Sequence, residues 1–504
     1  MRVLPCGDAA LLVEAGDAAL GVYAALLDRP LAGVSDLVPA ARTVLVRFAP
    51  TEVCAESLAA ELAAVRPVSV AAGSGELVEV PVHYDGADLA EVGRLTGLGE
   101  SGVVEAHAAA RYVVAFSGFA PGFGYLTGLD PRLRLPRRGT PRVRVPAGAV
   151  GVAGEFTGVY PRSSPGGWHL LGRTSVPLWD AGRTPPALLR PGTRVRFEPV
   201  AALRPTPASS GSTPPAGPPG VEIVHCGPMA TVQDLGRPGY AALGVGRSGA
   251  ADADAAALAN RLVGNDEGAA CLELTFGSAT LAFPRFARVA VTGAPCPLDR
   301  AAAMNAPFTV PAGGTLTVGA PASGIRTYVA VRGGIAVPPT LGSRSTDVLS
   351  GLGPRPLSPG DVLPVGTDHS GPSPVVEVAP VNPPAGGELV VRVTPGPRAD
   401  WCTPAALRTL RTARFTVTSD SNRVGVRLAG RPLARARHEE LPSEGMVPGA
   451  IQVPPSGQPV VFLADHPVTG GYPVIAVVRT ADLPILAQAR PGQRVRFELQ
   501  PTAR

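Results

Sequence analysis

The sequence predicts a mainly β protein with α/β parts, in which a small N-terminal α/β domain is followed by barrel domains. Three observations lead there. The 504 residues include 61 glycines and 57 prolines, so many short elements joined by fixed turns are expected in place of long helices. Aromatic residues make up only 5%, while Ala, Val and Leu are plentiful, so the core is built from small aliphatics. Short β-type runs punctuated by Gly and Pro recur along the chain, the pattern of closed or nearly closed barrels. Length allows roughly three or four domains.

Residues 1–83 read as the small α/β domain. Ala10 to Glu14, Ala41 to Phe48 and Leu77 to Val82 are strands, and Glu52 to Val65 is helical by composition and spacing. A first barrel follows over 84–204, entered through two short helical patterns between Asp88 and Ala110 and closed by the alternating strand after Pro191-Gly192. Residues 205–220, PTPASSGSTPPAGPPG, offer almost nothing to a core and form a linker. The next domain spans 221–370, with a helix from Asp252 to Leu262 ending at Gly264. A second Pro- and Gly-rich linker covers 371–388, with Val375 to Val378 as a strand edge, and the last domain, 389–504, carries a helix from Thr403 to Leu410.

An internal echo points to duplication of one barrel. Gly166-Gly167-Trp168, Arg173-Thr174 and Pro191-Gly192-Thr193-Arg194-Val195-Arg196-Phe197-Glu198 reappear as Gly470-Gly471-Tyr472, Arg479-Thr480 and Pro491-Gly492-Gln493-Arg494-Val495-Arg496-Phe497-Glu498.

Lys plus Arg exceeds Asp plus Glu by 45 − 40 = 5, and the densest basic block runs from Arg132 to Arg144. That block is either a solvated strand or an anion-binding surface, and no nucleic-acid motif accompanies it. Six cysteines without a CxxC pair make no disulfide framework or metal knuckle. No signal peptide or transmembrane-length apolar run is present, so the cytoplasm is the expected location. Phosphate-loop, Rossmann, HExxH and nucleophile-elbow motifs are absent, and seven scattered histidines show no metal-ligand spacing.

The stretch Phe116 to Tyr125 stands out, because glycines and a proline separate its aromatics. It is either a tight buried loop or a ligand-facing wall, with Phe119, Pro121, Gly122 and Phe123 as substrate contacts. His107 is a helix-end cap or a proton carrier. Tyr125 and Glu155 are a hydrogen-bond donor and a turn carboxylate, or structural groups. Gln233-Asp234-Leu235-Gly236-Arg237 is a compact polar group between a strand and a Gly-rich turn. Ser248 precedes Asp252, which is as suited to capping the helix as to chemistry, and that helix start can receive an anion. Asp420, Arg423 and Asp465 combine acid and cation in types that suit a developing oxyanion or phosphate.

The aromatic stretch, with Val145-Pro146-Ala147-Gly148, Thr157-Gly158-Val159-Tyr160-Pro161 and Ser164-Pro165-Gly166-Gly167-Trp168, resembles the B subunit of the bacterial ATP-dependent 5-oxoprolinase. This is the Kip inhibitor or allophanate hydrolase subunit 1 family. Gln233 to Tyr240, Ala259 to Asn265, Ser443 to Pro455 (including Gln452) and Gly470-Gly471-Tyr472-Pro473 resemble the C subunit, the Kip antagonist or allophanate hydrolase subunit 2 family. The resemblance implies a B–C fusion with cyclophilin-like barrels. It also implies a separate A subunit of the LamB/YcsF type, and use of ATP with its Mg2+ to open 5-oxo-L-proline to L-glutamate. Which chain holds ATP is left open, as is homo-oligomer formation; no nucleic acid or membrane is implied. Gln452, Gly470, Gly471 and Tyr472 join the substrate contacts on this resemblance. The alternatives are a carboxyltransferase acting on urea or a related amide with a biotin-bearing partner, and a regulator of a sensor histidine kinase. The chain departs from the family at Phe156, at His466-Pro467-Val468-Thr469, and at Arg247, Ala251 and Asn422.

Overall fold

Period-two alternation in the first strands decides where the N-terminal domain sits. The computed structural model describes residues 1–68, 76–204, 219–299, 303–367, 375 and 377–500. Arg2–Pro5, Ala10–Glu14, Thr43–Phe48 and Val34–Pro39 lie side by side in that order as an antiparallel sheet. Successive side chains point to opposite faces. Leu11, Val13, Val44 and Val46 therefore pack under the helices Ala19–Asp28 and Ala55–Ala64. Ala10, Leu12, Val38 and Leu45 pack on the other side, against Met446, Val447, Ala450 and Val477 of the C-terminal barrel. A buried Leu or Val is worth about 1.5–3 kcal/mol, so this second face is a committed interface. The same alternation puts Glu14, Asp36 and Arg47 on the barrel side, with Asp36 and Arg47 as cross-strand partners. Arg398 of the barrel pairs there with Glu14 at 2.5 Å and with Glu444. The two ends of the chain are thus folded onto each other.

The duplication read from the echo is present strand for strand. The first barrel-like sheet runs His169–Arg173, Ala149–Ala153, Phe156–Val159, Gly124–Thr127, Tyr112–Ser117, Arg194–Pro199, Leu77–Val82. The closed C-terminal barrel runs Val474–Val478, Ala450–Gln452, Val460–Phe462, Gly425–Ala429, Phe415–Val417, Arg494–Leu499, Leu389–Pro395 in the same order. In both copies the last two strands pair in parallel. The second barrel closes through Val393–Pro395 on Val478–Ala476, the first through an isolated bridge between His83 and Arg173 with single backbone bonds from Gly86 to Leu171 and from Asp88 to Leu170. In both, a glycine makes the close backbone approach at the closure. A Cβ on Gly86 would come within 2.3 Å of the Leu170 carbonyl oxygen, and one on Gly396 within 2.3 Å of that of Val474.

Between the barrels lies a two-sheet sandwich. The sheet Met229–Gln233, Cys271–Thr275, Arg326–Val331, Ala287–Gly293, Pro307–Val310 packs on Gly314–Val318, Ala279–Phe283, Pro219–His225, Val362–Pro364. The helix Ala253–Val263 covers the outer face of the first sheet with Ala256, Ala259 and Leu262. Asp252 starts it by accepting the Ala255 N–H at 3.1 Å, and Gly264 ends it at φ 76°, as a capping acid and a left-handed glycine should.

The expected helices appear at Ala55–Ala64, Leu89–Thr96, Gly99–Ala109 and Pro404–Thr412. One boundary differs: Leu77–Val82, expected in the N-terminal domain, pairs with Arg194–Pro199 and belongs to the first barrel. Its parallel partner is more than a hundred residues away in sequence, so local pattern could not place it. Most of the linker 205–220, and part of the expected strand edge at Val375–Val378, lie outside the described residues. No helix among the described residues is long and apolar enough to cross a membrane. The six cysteines are free thiols.

Candidate active site

At the centre is Arg423, fully buried in the hairpin loop of the second barrel. Its Nε and Nη2 each lie 2.9 Å from the Asp465 carboxylate, its Nη1 2.5 Å from Glu273, and Nη2 also donates to the Gly249 carbonyl at 2.6 Å. Burial acts to neutralise this guanidinium, but Asp465 and Glu273 outweigh it and raise its pKa. Burial likewise pushes the Glu273 carboxyl up, and Arg423 and Arg326 overcome it, leaving the group below the usual carboxylate range. Ser248 Oγ donates to Asp465 Oδ1 at 2.7 Å, and Asp465 Oδ2 accepts the Val348 N–H at 3.1 Å. Glu273 accepts from Tyr328 Oη at 2.8 Å and from the Ala251 N–H at 3.0 Å; Tyr328 Oη in turn accepts the Asp252 N–H at 2.8 Å. A single hydrogen-bonded chain therefore runs from the barrel loop to the start of the helix Ala253–Val263.

Asp234 is spent on its own loop. It accepts from Ser343 Oγ, Ser345 Oγ, and the N–H groups of Gly236 and Arg344 at 2.5–2.7 Å. Gln233 Nε2 donates to the Thr346 carbonyl at 3.0 Å, and Arg237 Nη2 to that of Ser345 at 2.5 Å. These side chains shape the segment beside the site; Leu235 and Pro238 between them reach the cavity wall.

That cavity, of about 350 Å³, lies where three domains meet. The N-terminal sheet gives it Asp36 and Arg47, the sandwich Arg247, Ser248 and the helix start Ala253-Asp254, and the C-terminal barrel His466. The His466 ring stacks on Phe462, and its Nδ1 sits 2.8 Å from the Pro467 carbonyl, which makes Nδ1 the donor. Its Nε2 is buried without a partner, and burial, reinforced by Arg47, pushes the imidazole pKa down to about 3. The ring is thus held neutral with an open acceptor. The amides of Ala253 and Asp254 begin a helix and have no acceptor within it.

The aromatic stretch packs as an interdomain wedge. Phe116 stacks on Tyr125 at 4.3 Å between ring centres, and Phe123 sits edge-on to Tyr125, Tyr160 and Trp168. Gly122 donates its N–H to the Leu243 carbonyl at 3.1 Å. A Cβ on Gly118 would lie 2.0 Å from Thr469 Oγ1, and one on Gly244 2.5 Å from the Ala120 carbonyl. Burial pushes the Tyr125 phenol up to about 12. Phe119, at φ 64° and 38% exposed, is the loop's outward ring. With Pro121 it lines a small crevice whose far wall is His466-Pro467. The loop and Arg423 occupy corresponding hairpins of the two barrels, and residues 243–249 run between them. Gly470 packs tightly on Gln452, whose Nε2 donates to the Tyr472 carbonyl at 3.1 Å; Gly471 follows, and the Tyr472 ring is exposed.

Of the expected substrate contacts Ser248 alone lines the cavity, and three further expected residues stand apart from the Arg423 network as well. His107 is fully buried, with Tyr84 Oη and Thr157 Oγ1 each 2.8 Å from a ring nitrogen, and burial pushes its pKa down to about 3. Glu155 and Asp420 lie exposed in turns. Sequence reasoning missed Asp36, Arg47 and Glu273. A charge inside the apolar run Thr43–Phe48 was the available signal for Arg47, but nothing local says that this strand faces a barrel 400 residues on. Among the described residues no group of three or more His, Cys, Asp or Glu side chains could hold a metal ion.

Comparison with known proteins matches both halves. Residues 1–189 match the family profile described as carboxyltransferase domain, subdomain C and D, and residues 243–499 match carboxyltransferase domain, subdomain A and B. The chain is 40% identical over 283 residues to the C subunit of 5-oxoprolinase from Escherichia coli K12, covering 55% of this chain and 90% of that protein. It is 54% identical over 125 residues to the B subunit of 5-oxoprolinase from Escherichia coli O157:H7, covering 24% of this chain and 57% of that one. The solved structure of TTHA0988 is 37% identical with a TM-score of 0.86, over 97% of this chain and 99% of that one.

Proposed function

The chain belongs to the carboxyltransferase-domain family and carries its C/D and A/B parts in one polypeptide; on that premise we propose that it is the B–C component of an ATP-dependent 5-oxoprolinase. One observation carries the reading. The cavity takes Asp36 and Arg47 from the B-like end and Arg247, Ser248 and His466 from the C-like part, so neither part alone completes it. The relatives that match these two parts are separate subunits of one enzyme.

In this proposal 5-oxo-L-proline sits in the three-domain cavity. Ser248, whose proton goes to Asp465, turns its lone pairs to the cavity and accepts the lactam N–H. The Ala253 and Asp254 amides, at the positive end of the helix dipole, face the lactam oxygen and stabilise charge that develops on it. That oxygen attacks the terminal phosphorus of ATP and ADP leaves. Water then adds to the activated carbon, the ring C–N bond breaks to the amine and leaves a γ-glutamyl phosphate, and a second water hydrolyses that acyl phosphate to L-glutamate and phosphate. A cavity of about 350 Å³ suits a small lactam better than a nucleoside triphosphate, so ATP and its Mg2+ are assigned to a partner, an A subunit of the LamB/YcsF type. Arg423 and Glu273 hold Ser248 and the helix start in place; the aromatic wedge fixes the opposite side of residues 243–249. The test is glutamate release from 5-oxo-L-proline and ATP by the chain with and without that partner. Turnover only in the mixture is expected; no turnover in a mixture shown to assemble would refute the reading.

A further inference from the structure

Arg47 is a cation that the protein carries into the cavity without a direct hydrogen bond or close ion pair. Among the described residues its guanidinium makes no ion pair and no hydrogen bond, although it is half-buried. Its cross-strand neighbour Asp36 attracts it through space, but the Asp36 carboxylate accepts the N–H groups of Leu37 at 3.0 Å and Gly239 at 3.3 Å, and its pull does not offset the burial of Arg47. The remaining neighbours do not compensate. Arg247 repels it, Cys6 is a buried thiol held neutral by a pKa of about 12, and His466 presents an unpartnered Nε2 while only 3% exposed. A desolvated guanidinium that no acid contacts directly is costly, and burial lowers its pKa in spite of Asp36. An anion entering the cavity would relieve that cost.

We infer that Arg47 is the carboxylate anchor of this site, selecting a lactam that bears a carboxylate over one that does not. The inference rests on the functional reading above and adds what that reading lacks, a reason for the substrate's acid group. With the carboxylate on Arg47, the rest of a small ring extends across the cavity toward Ser248 and the helix start, which belong to the sandwich. The N-terminal domain then supplies specificity and the C-like part supplies the groups that meet the reacting amide. This division explains why the small sheet is pinned to the barrel by Arg398, Glu14 and Glu444.

The experiment is calorimetric titration of the intact chain, alone and with its partner, using 5-oxo-L-proline and 2-pyrrolidone, the same ring without a carboxylate. Wild type, Arg47→Met and Arg47→Lys are compared. Because it removes a charge-assisted contact, Arg47→Met should weaken 5-oxo-L-proline binding about 10- to 100-fold and leave 2-pyrrolidone within twofold, with Arg47→Lys between. Equal loss for both ligands, or none for either, overturns the inference while the cavity assignment stands. Wild type that binds neither ligand in either state sinks the functional reading and the inference together. If Arg47→Met does not fold, Arg47→Lys decides: selectivity between the ligands unchanged from wild type overturns the inference.

Discussion

Replacing Asp465 by Asn tests the network beneath the cavity at its most connected point. The substitution keeps the shape and removes one charge. Arg423 then retains Glu273 and the Gly249 carbonyl but loses a two-pronged partner at 2.9 Å, and one Asn amide N–H must face either the guanidinium or the Val348 N–H. Breaking a buried ion pair costs about 3–5 kcal/mol; with Glu273 still in place, the low end, about 3 kcal/mol, is expected. At roughly tenfold per 1.4 kcal/mol, local opening should rise on the order of 100-fold. Hydrogen exchange at the amides of Val348, Ser248 and Gly249 reads this directly, and turnover should fall with it, because Ser248 loses its ionised acceptor. Arg423→Met alone should cost more, since it leaves Asp465 buried without a cation and Glu273 with Arg326 alone, at 3.5 Å. The double variant should cost less than the sum of the two. Exchange unchanged within threefold in Asp465→Asn, or strict additivity in the cycle, would refute the argument that these groups act as one unit.

Two further outcomes follow from the geometry. Gly118→Ala puts a methyl group 2.0 Å from Thr469 Oγ1, so it should cost about 1–3 kcal/mol of overpacking, seen as a lower urea midpoint, and Thr469→Ala should recover part of it; no recovery would mean the strain lies within the loop. His107 and His466 have folded pKa values near 3, far below the ordinary 6.5. Their depressed values mean that their stability contribution is complete above pH 6.5 and is lost as pH falls toward 3. Each contributes a slope of about 1.4 kcal/mol per pH unit in that window. Urea titrations at pH 7, 6 and 5 should show the combined slope, and His107→Gln should halve it, His466 keeping its share; parallel curves for variant and wild type would count against a buried neutral imidazole.

Much of the fold was legible. The strand pattern, the helix of 253–263 with its Asp cap and Gly stop, and the barrel duplication all rest on local signals: alternation, capping chemistry and repeated order. Leu77–Val82 was assigned to the wrong side of a boundary because a parallel pairing is non-local. The site was legible in its parts. Ser248, Arg423 and Asp465 were singled out as suitable chemical types, and they do converge, but type alone could not separate them from Asp420, which is equally acidic and lies exposed in a turn. His107 read as a cap or a proton carrier at a helix end, yet it is fully buried and Tyr84 and Thr157 use both its nitrogens. Arg47 was hidden by the opposite effect: its strand reads as ordinary core, and only the docking of the N-terminal sheet on a barrel at the far end of the chain turns its charge into the cavity.

A crystal structure of the chain with 5-oxo-L-proline would decide whether a lactam binds at the junction of the three domains. The ligand is expected in the cavity between Arg47 and Ser248, its carboxylate toward Arg47 and its ring carbonyl toward the start of the helix Ala253–Val263. Ligand bound instead at the Phe119 and Pro121 crevice, or on a surface made by one domain alone, would contradict it.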